Sequence, residues 1–392
     1  MTIQAAREYL ADVWVRYQEA NKREKGLILD ELQRNLGLHR KSATRLMNSR
    51  HPPRSHHGFR GGRKKKYSEE AKFHLRQLWK IMGYMAPIRM RAALPEWIPF
   101  YEYRGFNEEL KMEILAMSTS SINRFLQSER AILRRKMNTG TRRGQYKWLI
   151  RVPIRDLEIT PKEPGHCEID CVAHCGTSMS GTFAWTVNMT DIATGWTECE
   201  AIWGKDGASV RQAIRRMKER LPFPLKAIYF DNGSEFLNKN VIDYFIEHDC
   251  NGTIKAYRGR PYRKNDQCYV EQKNHTHVRA LFGYARIDKK RLLAQMNHLY
   301  RKHWRHIQNF FMPQQKLVDK FRIGARMIRK LDRPRTPYDR LIDHIGTSRS
   351  LAGEKRSMDP IYCRRCQTLK VWQIYRSLED EPVAGSQGRM VV

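Results

Sequence analysis

Acidic residues are scarce in this chain of 392 residues: 41 Asp and Glu stand against 73 Lys and Arg, a formal net charge of +32 before any histidine is counted. Self-repulsion of that size is normally relieved by a polyanion, and nucleic acid is the natural one because each neutralised phosphate releases a counterion. Long apolar runs are missing as well. No window approaches the roughly eighteen uninterrupted apolar residues of a membrane span. Arg7, Glu8, Asp12, Arg16 and Glu19 interrupt the first twenty residues, where a secretory signal needs an apolar stretch. The expectation is a cytoplasmic protein with no membrane attachment. Cysteine is sparse, eight residues with none before Cys167, which points to reduced thiols and not to a disulfide scaffold. Core-forming residues are plentiful: 41% of the chain is hydrophobic and 10% aromatic. That is enough for two to four domains and excludes wholesale disorder.

The chain opens with helical spacing. Tyr9, Leu10, Val13, Trp14 and Tyr17 form one apolar stripe, and Leu27, Ile28, Leu32 and Leu36 a second. Gly37 then precedes a third helix with Ala43, Leu46 and Met47 inward and Arg40, Lys41, Thr44 and Arg45 outward. Helix, short glycine turn and basic helix fit a helix-turn-helix that reads DNA with its second member; a plain helical hairpin with a solvated charged face is the alternative. Residues 51–66 carry prolines, glycines and the run Arg63-Lys64-Lys65-Lys66 without an acid, the composition of a linker. A second helical block runs to Leu133. It ends in a helix around Glu108–Met117, a turn at Ser118-Thr119 and a helix with Ser120, Ser121, Asn123 and Arg124 outward. Another basic connector follows, with no acid until Asp156.

From about Gly165 the pattern changes to strands. Cys167–Val172 alternates, Phe183–Met189 and Thr197–Ile202 are β-rich, and Ala193-Thr194-Gly195 separates the last two as a turn. Asp206 is placed to cap a helix with Val210, Ala213, Ile214 and Met217 on one face. The apolar strand Leu225–Phe230, a helix over Val241–Phe245 and a short strand Thr253–Tyr257 complete the series. The order βββ-α-β-α-β followed by helices is that of the α/β ribonuclease H-like fold, a mixed five-stranded sheet with flanking helices.

Three carboxylates stand out. Asp231 directly follows an apolar strand and precedes Asn232-Gly233, so it is presented at the rim of a sheet, where ligands of α/β sheets collect; Asp-Asn-Gly is also ordinary turn chemistry. Asp170, 61 residues earlier, shares one strand face with Glu168. An acidic pair facing a core is costly without compensation, and a divalent cation is one compensation. Glu271, 40 residues beyond Asp231, opens a helix after a basic polar loop. Three carboxylates together suit Mg²⁺ or Mn²⁺, hard ions that take oxygen ligands. Two such ions can activate the attacking oxygen and stabilise the leaving oxygen of an in-line phosphoryl displacement.

Glu168-Ile169-Asp170, Phe230-Asp231-Asn232-Gly233-Ser234-Glu235-Phe236, and Lys264-Asn265-Asp266 followed by Val270-Glu271-Gln272-Lys273-Asn274 resemble the DDE transposases and integrases of the retroviral-integrase superfamily, especially those of bacterial insertion sequences. The resemblance spans roughly residues 160–300 and rests on the three motifs in order. It implies metal-dependent nicking of DNA at an element end, followed by attack of the freed 3′-hydroxyl on target DNA. Asp170, Asp231 and Glu271 would hold two Mg²⁺ or Mn²⁺ ions, and Lys264, Lys273 and Asn274 would contact end DNA.

A homo-oligomer on DNA, nucleoid-associated when bound, is implied in the same way. The retroviral zinc module is missing at the front, where the helix-turn-helix modules look instead like bacterial end-recognition domains. Under this reading the chain divides into a helix-turn-helix domain (1–50), a basic linker (51–66), a second helical DNA-binding domain (67–133), a second basic linker (134–159), an integrase catalytic core (160–305), and a basic helical segment with a small β-rich C-terminal domain (306–392).

Weaker signals remain. Cys363-x-x-Cys366 lacks a following ligand pair of the kind a structural zinc site wants. Residues from about Gln315 to Leu341 are basic and have helix-like spacing, whereas Leu369–Tyr375 has β character. Besides a transposase or integrase, the sequence admits a sequence-specific DNA-binding regulator with a vestigial core, or a structure-selective nuclease on the same fold.

Overall fold

The computed structural model describes residues 3–51, 66–132, 161–231, 233, 236, 241, 254–259 and 267–379. Most of both basic linkers, Lys264-Asn265-Asp266 and all but the first residue of the Val241–Phe245 helix lie outside the described residues. The chain divides into two units, Met1–Lys66 and Tyr67–Val392.

The first unit holds α1 (Ile3–Glu19), α2 (Lys22–Leu36) and α3 (Arg40–Met47) around Val13, Tyr17, Ile28, Leu29, Leu32, Ala43 and Met47. Asn21 caps α2 reciprocally with Glu24, satisfying donors that a helix start otherwise leaves open. Gly37 ends α2 at φ +65°, a left-handed conformation that a Cβ disfavours. His39 starts α3 two residues later by accepting from Lys41 N–H. Three helices thus form where the helical stripes were expected, with Arg40, Lys41 and Arg45 exposed on α3. Arg40 is tethered to Asp30 and Gln33 of α2.

The second unit begins with α4 (Glu69–Ile81), α5 (Pro87–Trp97), α6 (Glu108–Leu115), α7 (Thr119–Phe125) and α8 (Gln127–Ile132). Ser120 and Arg124 are exposed on α7 while Ile122 is buried. The sheet follows: β1 (His166–Ala173), β2 (Ala184–Asp191) and β3 (Thr197–Trp203) form an antiparallel meander. Then come α9 (Gly207–Lys218), β4 (Ala227–Phe230) and β5 (Lys255–Arg258). Strand order is β3-β2-β1-β4-β5, with β4 parallel to β1 and β5 parallel to β4. This is a mixed five-stranded sheet flanked by helices, with a helical region before it. A helix α10 (Cys268–Lys273) continues through a π-helical stretch, Asn274–Arg279, to Phe282. A second, α11 (Leu292–Leu299), continues with two further π-helical segments to Phe311.

Residues 67–132 do not stand apart from this sheet; one continuous apolar core runs from Leu75, Leu78 and Leu94 through the sheet to the C-terminal helices. Trp97 is fully buried and its indole Nε1 donates to the Phe311 carbonyl at 2.9 Å, while Arg89 Nε donates to the Pro313 carbonyl at 2.5 Å. Burying an indole while leaving its N–H unpaired would forfeit much of the gain, so this bond fixes where α5 seats.

The C-terminal region corrects two sequence readings. The stretch taken as helix-like is a hairpin, β6 (Leu317–Ile323) and β7 (Arg326–Leu331), turned at Gly324, whose φ is +57°. The helix-like reading holds only at its end, where α12 (Pro337–Ile345) begins, and the stretch taken as β-rich is helical: α13 (Arg349–Arg356) and the twenty-residue α14 (Pro360–Glu379). On α14, Gln367 and Ile374 are buried and Val371 and Leu378 pack against the core, at 3.6-residue spacing, while Leu369 and Trp372 face out. These helices complete the common core through Leu341, Leu351, Met358 and Ile361; they are not a separate β domain. Among the described residues no helix is long and apolar enough to cross a membrane.

Candidate active site

The pairing of β1 with β4 sets the site. Their parallel register matches Ile169 to Phe230, so the next residue on each, Asp170 and Asp231, lies side by side where β4 ends. Neighbours in a parallel ladder lie about 4.8 Å apart. Asp231 is exposed and its Oδ1 accepts the Gly233 N–H at 2.8 Å. Turn chemistry and rim presentation are thus one arrangement. Asp170 is half-buried; its Oδ1 accepts the Cys171 N–H at 2.7 Å and its Oδ2 accepts from Asn274 Nδ2 at 2.5 Å.

Asn274 belongs to the helix that carries Glu271, one turn further along, and packs over β1 and β2. Its amide has a fixed sense: Asn188, the cross-strand partner of Asp170 on β2, donates to Asn274 Oδ1 at 3.0 Å, leaving the Asn274 NH₂ to face the carboxylate. The start of α10 is held by Glu168. Fully buried on β1, Glu168 accepts from the N–H groups of Tyr269 and Val270 at 2.9 and 3.0 Å with one carboxylate oxygen. Those are donors a helix start leaves unsatisfied, and the positive end of the helix favours the charge. The sequence placed Glu168 beside Asp170 and asked what offsets an acidic pair; for Glu168 a helix terminus does so. Glu271, exposed in the first turn of α10, is thereby carried above the strand bearing Asp170.

Lys273 corrects another expectation. It lies on the other side of α10, buried, with Nζ bonded to Gln314 Oε1, so its ammonium is not at the surface as a DNA contact would require. Burial, followed by the charges of Arg89, Lys316 and Arg340, pushes its ammonium well below the ordinary lysine range. Asn274, also expected to touch DNA, instead spends its amide on Asp170 and Asn188. Lys264 lies outside the described residues. Arg40, Lys41, Thr44 and Arg45 belong to the first unit, and Ser120 and Arg124 to α7.

Two histidines near this helix are held neutral. His174, fully buried just past β1 with Nε2 2.8 Å from Thr186 Oγ1, is pulled down to about 3 by burial and then by Arg279. His277 on the π-helical stretch is lowered well below its ordinary value by burial, then by Lys273 and Arg89. Both bind protons more readily unfolded than folded. Stability is therefore full above about pH 6.5 and falls as pH drops toward the folded values, by about 1.4 kcal/mol per pH unit for each residue. His174→Gln is expected to reduce that slope between pH 6 and 4 by about 1.4 kcal/mol per unit, read from urea unfolding across pH. An unchanged slope would show that His174 does not carry it.

The donors at this rim are carboxylate oxygens, the type that Mg²⁺ and Mn²⁺ select. Among the described residues no group of three or more His, Cys, Asp and Glu is close enough to hold a metal ion. The register places Asp170 and Asp231 at one rim of the sheet, and the helix over β1 carries Glu271. Cys363, by contrast, is buried and its thiol is pushed up to about 11 by burial. Sequence reasoning missed Glu168 as the helix anchor and Asn188 as the residue that orients Asn274, because their partners lie 101 and 86 residues away.

No family model matches this chain. It is 34% identical over 331 residues to "Uncharacterized protein y4rM" of Sinorhizobium fredii, a match that covers 83% of this chain and 91% of that protein. The chain belongs to the family of that protein.

Proposed function

We propose that this protein is a DDE-type polynucleotidyl transferase, a transposase or integrase that nicks DNA at element ends and joins the freed 3′ ends to target DNA. The observation that carries the proposal is the register that sets Asp170 beside Asp231, with the helix of Glu271 anchored over the same strand by Glu168. The strand order β3-β2-β1-β4-β5 supports a ribonuclease H-like core. The helix-turn-helix of the first unit supplies a DNA-reading element, and the +32 charge accounts for retention on a polyanion.

In this reading Asp170, Asp231 and Glu271 would hold two Mg²⁺ or Mn²⁺ ions, which when bound would polarise the scissile phosphate and lower the pKa of water. The chain's own residues prepare that arrangement. Asn274 fixes Asp170 Oδ2, Asn188 fixes the Asn274 amide, and the Gly233 N–H holds Asp231 at the rim. Attack by water or by a 3′-hydroxyl then needs no protein nucleophile.

The test is a nicking and strand-transfer assay with the full chain, Mg²⁺ or Mn²⁺, and duplexes taken from the DNA flanking the gene. Joined products are expected. Nicked but never joined strands would favour a nuclease, and binding without either reaction a regulator with a vestigial core.

A further inference from the structure

We propose that the β6–β7 hairpin is a ribbon that binds duplex nucleic acid, laying Lys320, Arg322 and Arg329 against its phosphates. The inference goes beyond the catalytic reading and does not depend on it.

The hairpin's base is clamped. Gln314 and Arg335 exchange backbone bonds at 2.8 and 3.0 Å, Lys316 N–H donates to Asp332 Oδ1 at 2.7 Å, and Arg340 pairs with the same carboxylate at 2.7 Å. Lys316 Nζ also holds the carbonyls of Ile192 and Ala193 at the β2–β3 turn. Beyond that base the ribbon is bare: every residue of β6 is exposed and all of β7 except half-buried Ile328. A two-stranded ribbon without a third strand or a covering helix is marginal in water, so its rigid attachment points to an external partner.

Charge identifies the partner. The register places Lys320 directly opposite Arg329, with Arg322 opposite Met327 on the same face. Like charges facing across a ladder are destabilising. Within the hairpin five cations face one carboxylate, Asp319, which accepts the N–H of Lys320. Among the described residues, none of those five cations is paired with a carboxylate. An anion array relieves this repulsion, whereas a second copy of the same cationic ribbon would add to it. Seven residues span about 23 Å, and a two-stranded ribbon is of a width that the roughly 12 Å major groove admits. Phe321, Ile323 and Ile328 lie on the opposite face together with Arg326 and Lys330, while Lys320, Arg322 and Arg329 share the other face with Met327.

The test uses the full chain with a random-sequence duplex of about 30 base pairs, measuring affinity by fluorescence anisotropy at several salt concentrations. The triple variant Lys320→Gln, Arg322→Gln, Arg329→Gln is expected to lower the salt slope by about 3 and the affinity near 0.1 M salt by about a hundredfold. Its melting temperature should be unchanged, because all three side chains are exposed; if the triple variant misfolds, Arg329→Gln alone should lose about one unit of slope. An unaltered slope in a folded variant overturns the proposal, as does an unaltered slope accompanied by loss of a dimer in sedimentation, which would make the ribbon a contact between copies. The duplex has no element end and the assay contains no Mg²⁺ or Mn²⁺, so failure of the catalytic reading leaves this result readable.

Discussion

Asp170→Asn and Asp231→Asn are each expected to lower metal-dependent nicking by at least about three orders of magnitude, roughly 4 kcal/mol of transition-state stabilisation. Duplex affinity should stay within about twofold, since the DNA-binding surfaces proposed here lie on α3 and the hairpin. The exchange removes one charge and keeps the shape. In Asp231→Asn the amide oxygen still accepts from Gly233, so the turn survives and the loss is chemical, not architectural. Glu271→Gln should act in the same way from the helix. Asn274→Leu should behave differently. It frees Asp170 Oδ2 from its tether without removing a carboxylate, and such supporting partners typically cost 10- to 100-fold in activity or metal affinity. Titrating Mg²⁺ separates the two classes: the Asn274 variant should recover part of its rate at high metal, and the Asp variants should not. Nicking by Asp231→Asn at the wild-type rate would refute the polynucleotidyl-transfer reading.

The parts of this site legible in sequence are those fixed by short-range rules. Alternation put Glu168 and Asp170 on one face, and an apolar strand ending in Asp-Asn-Gly put Asp231 at a rim; the register then joined them. What sequence did not yield depends on distant partners. Lys273 sits beside Glu271 in the chain, but its direction around the helix is decided by the 313–316 segment that covers it. The two C-terminal misreadings share one cause. Leu317, Phe321, Ile328 and Leu331 satisfy helical spacing although they lie on strands, and Leu369, Val371 and Tyr375 alternate although they lie on a helix. Short apolar patterns fit both periods. Gly324 marked the turn in the first case. In the second, only burial of Gln367 and Ile374 reveals the phase.

Arg220→Met should destabilise the second unit by about 3–5 kcal/mol, the range for removing one partner of a buried ion pair. Glu198 and Glu200 project from the same face of β3, 1% and 0% exposed. Arg220 bridges them, with Nε 3.1 Å from Glu198 Oε2 and Nη1 3.0 Å from Glu200 Oε2, and its Nη2 donates to the Cys199 carbonyl at 3.2 Å. Arg305 holds the other oxygen of Glu198 at 2.8 Å, lies over the Trp196 ring and pairs with Glu354 at 2.7 Å. Glu354 is held down at about 2 by its bond to His306 and by Arg305. Methionine fills much of the volume of Arg220 but leaves two carboxylates short of a donor in a place water barely reaches. The exposed pair Arg16–Glu31, at 3.2 Å, is the control: Arg16→Met should cost less than about 1 kcal/mol. Adding Glu198→Gln and Glu200→Gln to Arg220→Met removes the incompletely paired charges, so the triple variant should regain a substantial part of the loss. Urea unfolding of the three proteins measures the difference. A loss below about 1 kcal/mol in Arg220→Met would mean that Arg216 and Arg301, which also pair with Glu200, and Arg305 on Glu198 suffice to hold both glutamates, and that β3 owes its position at the sheet edge to packing alone.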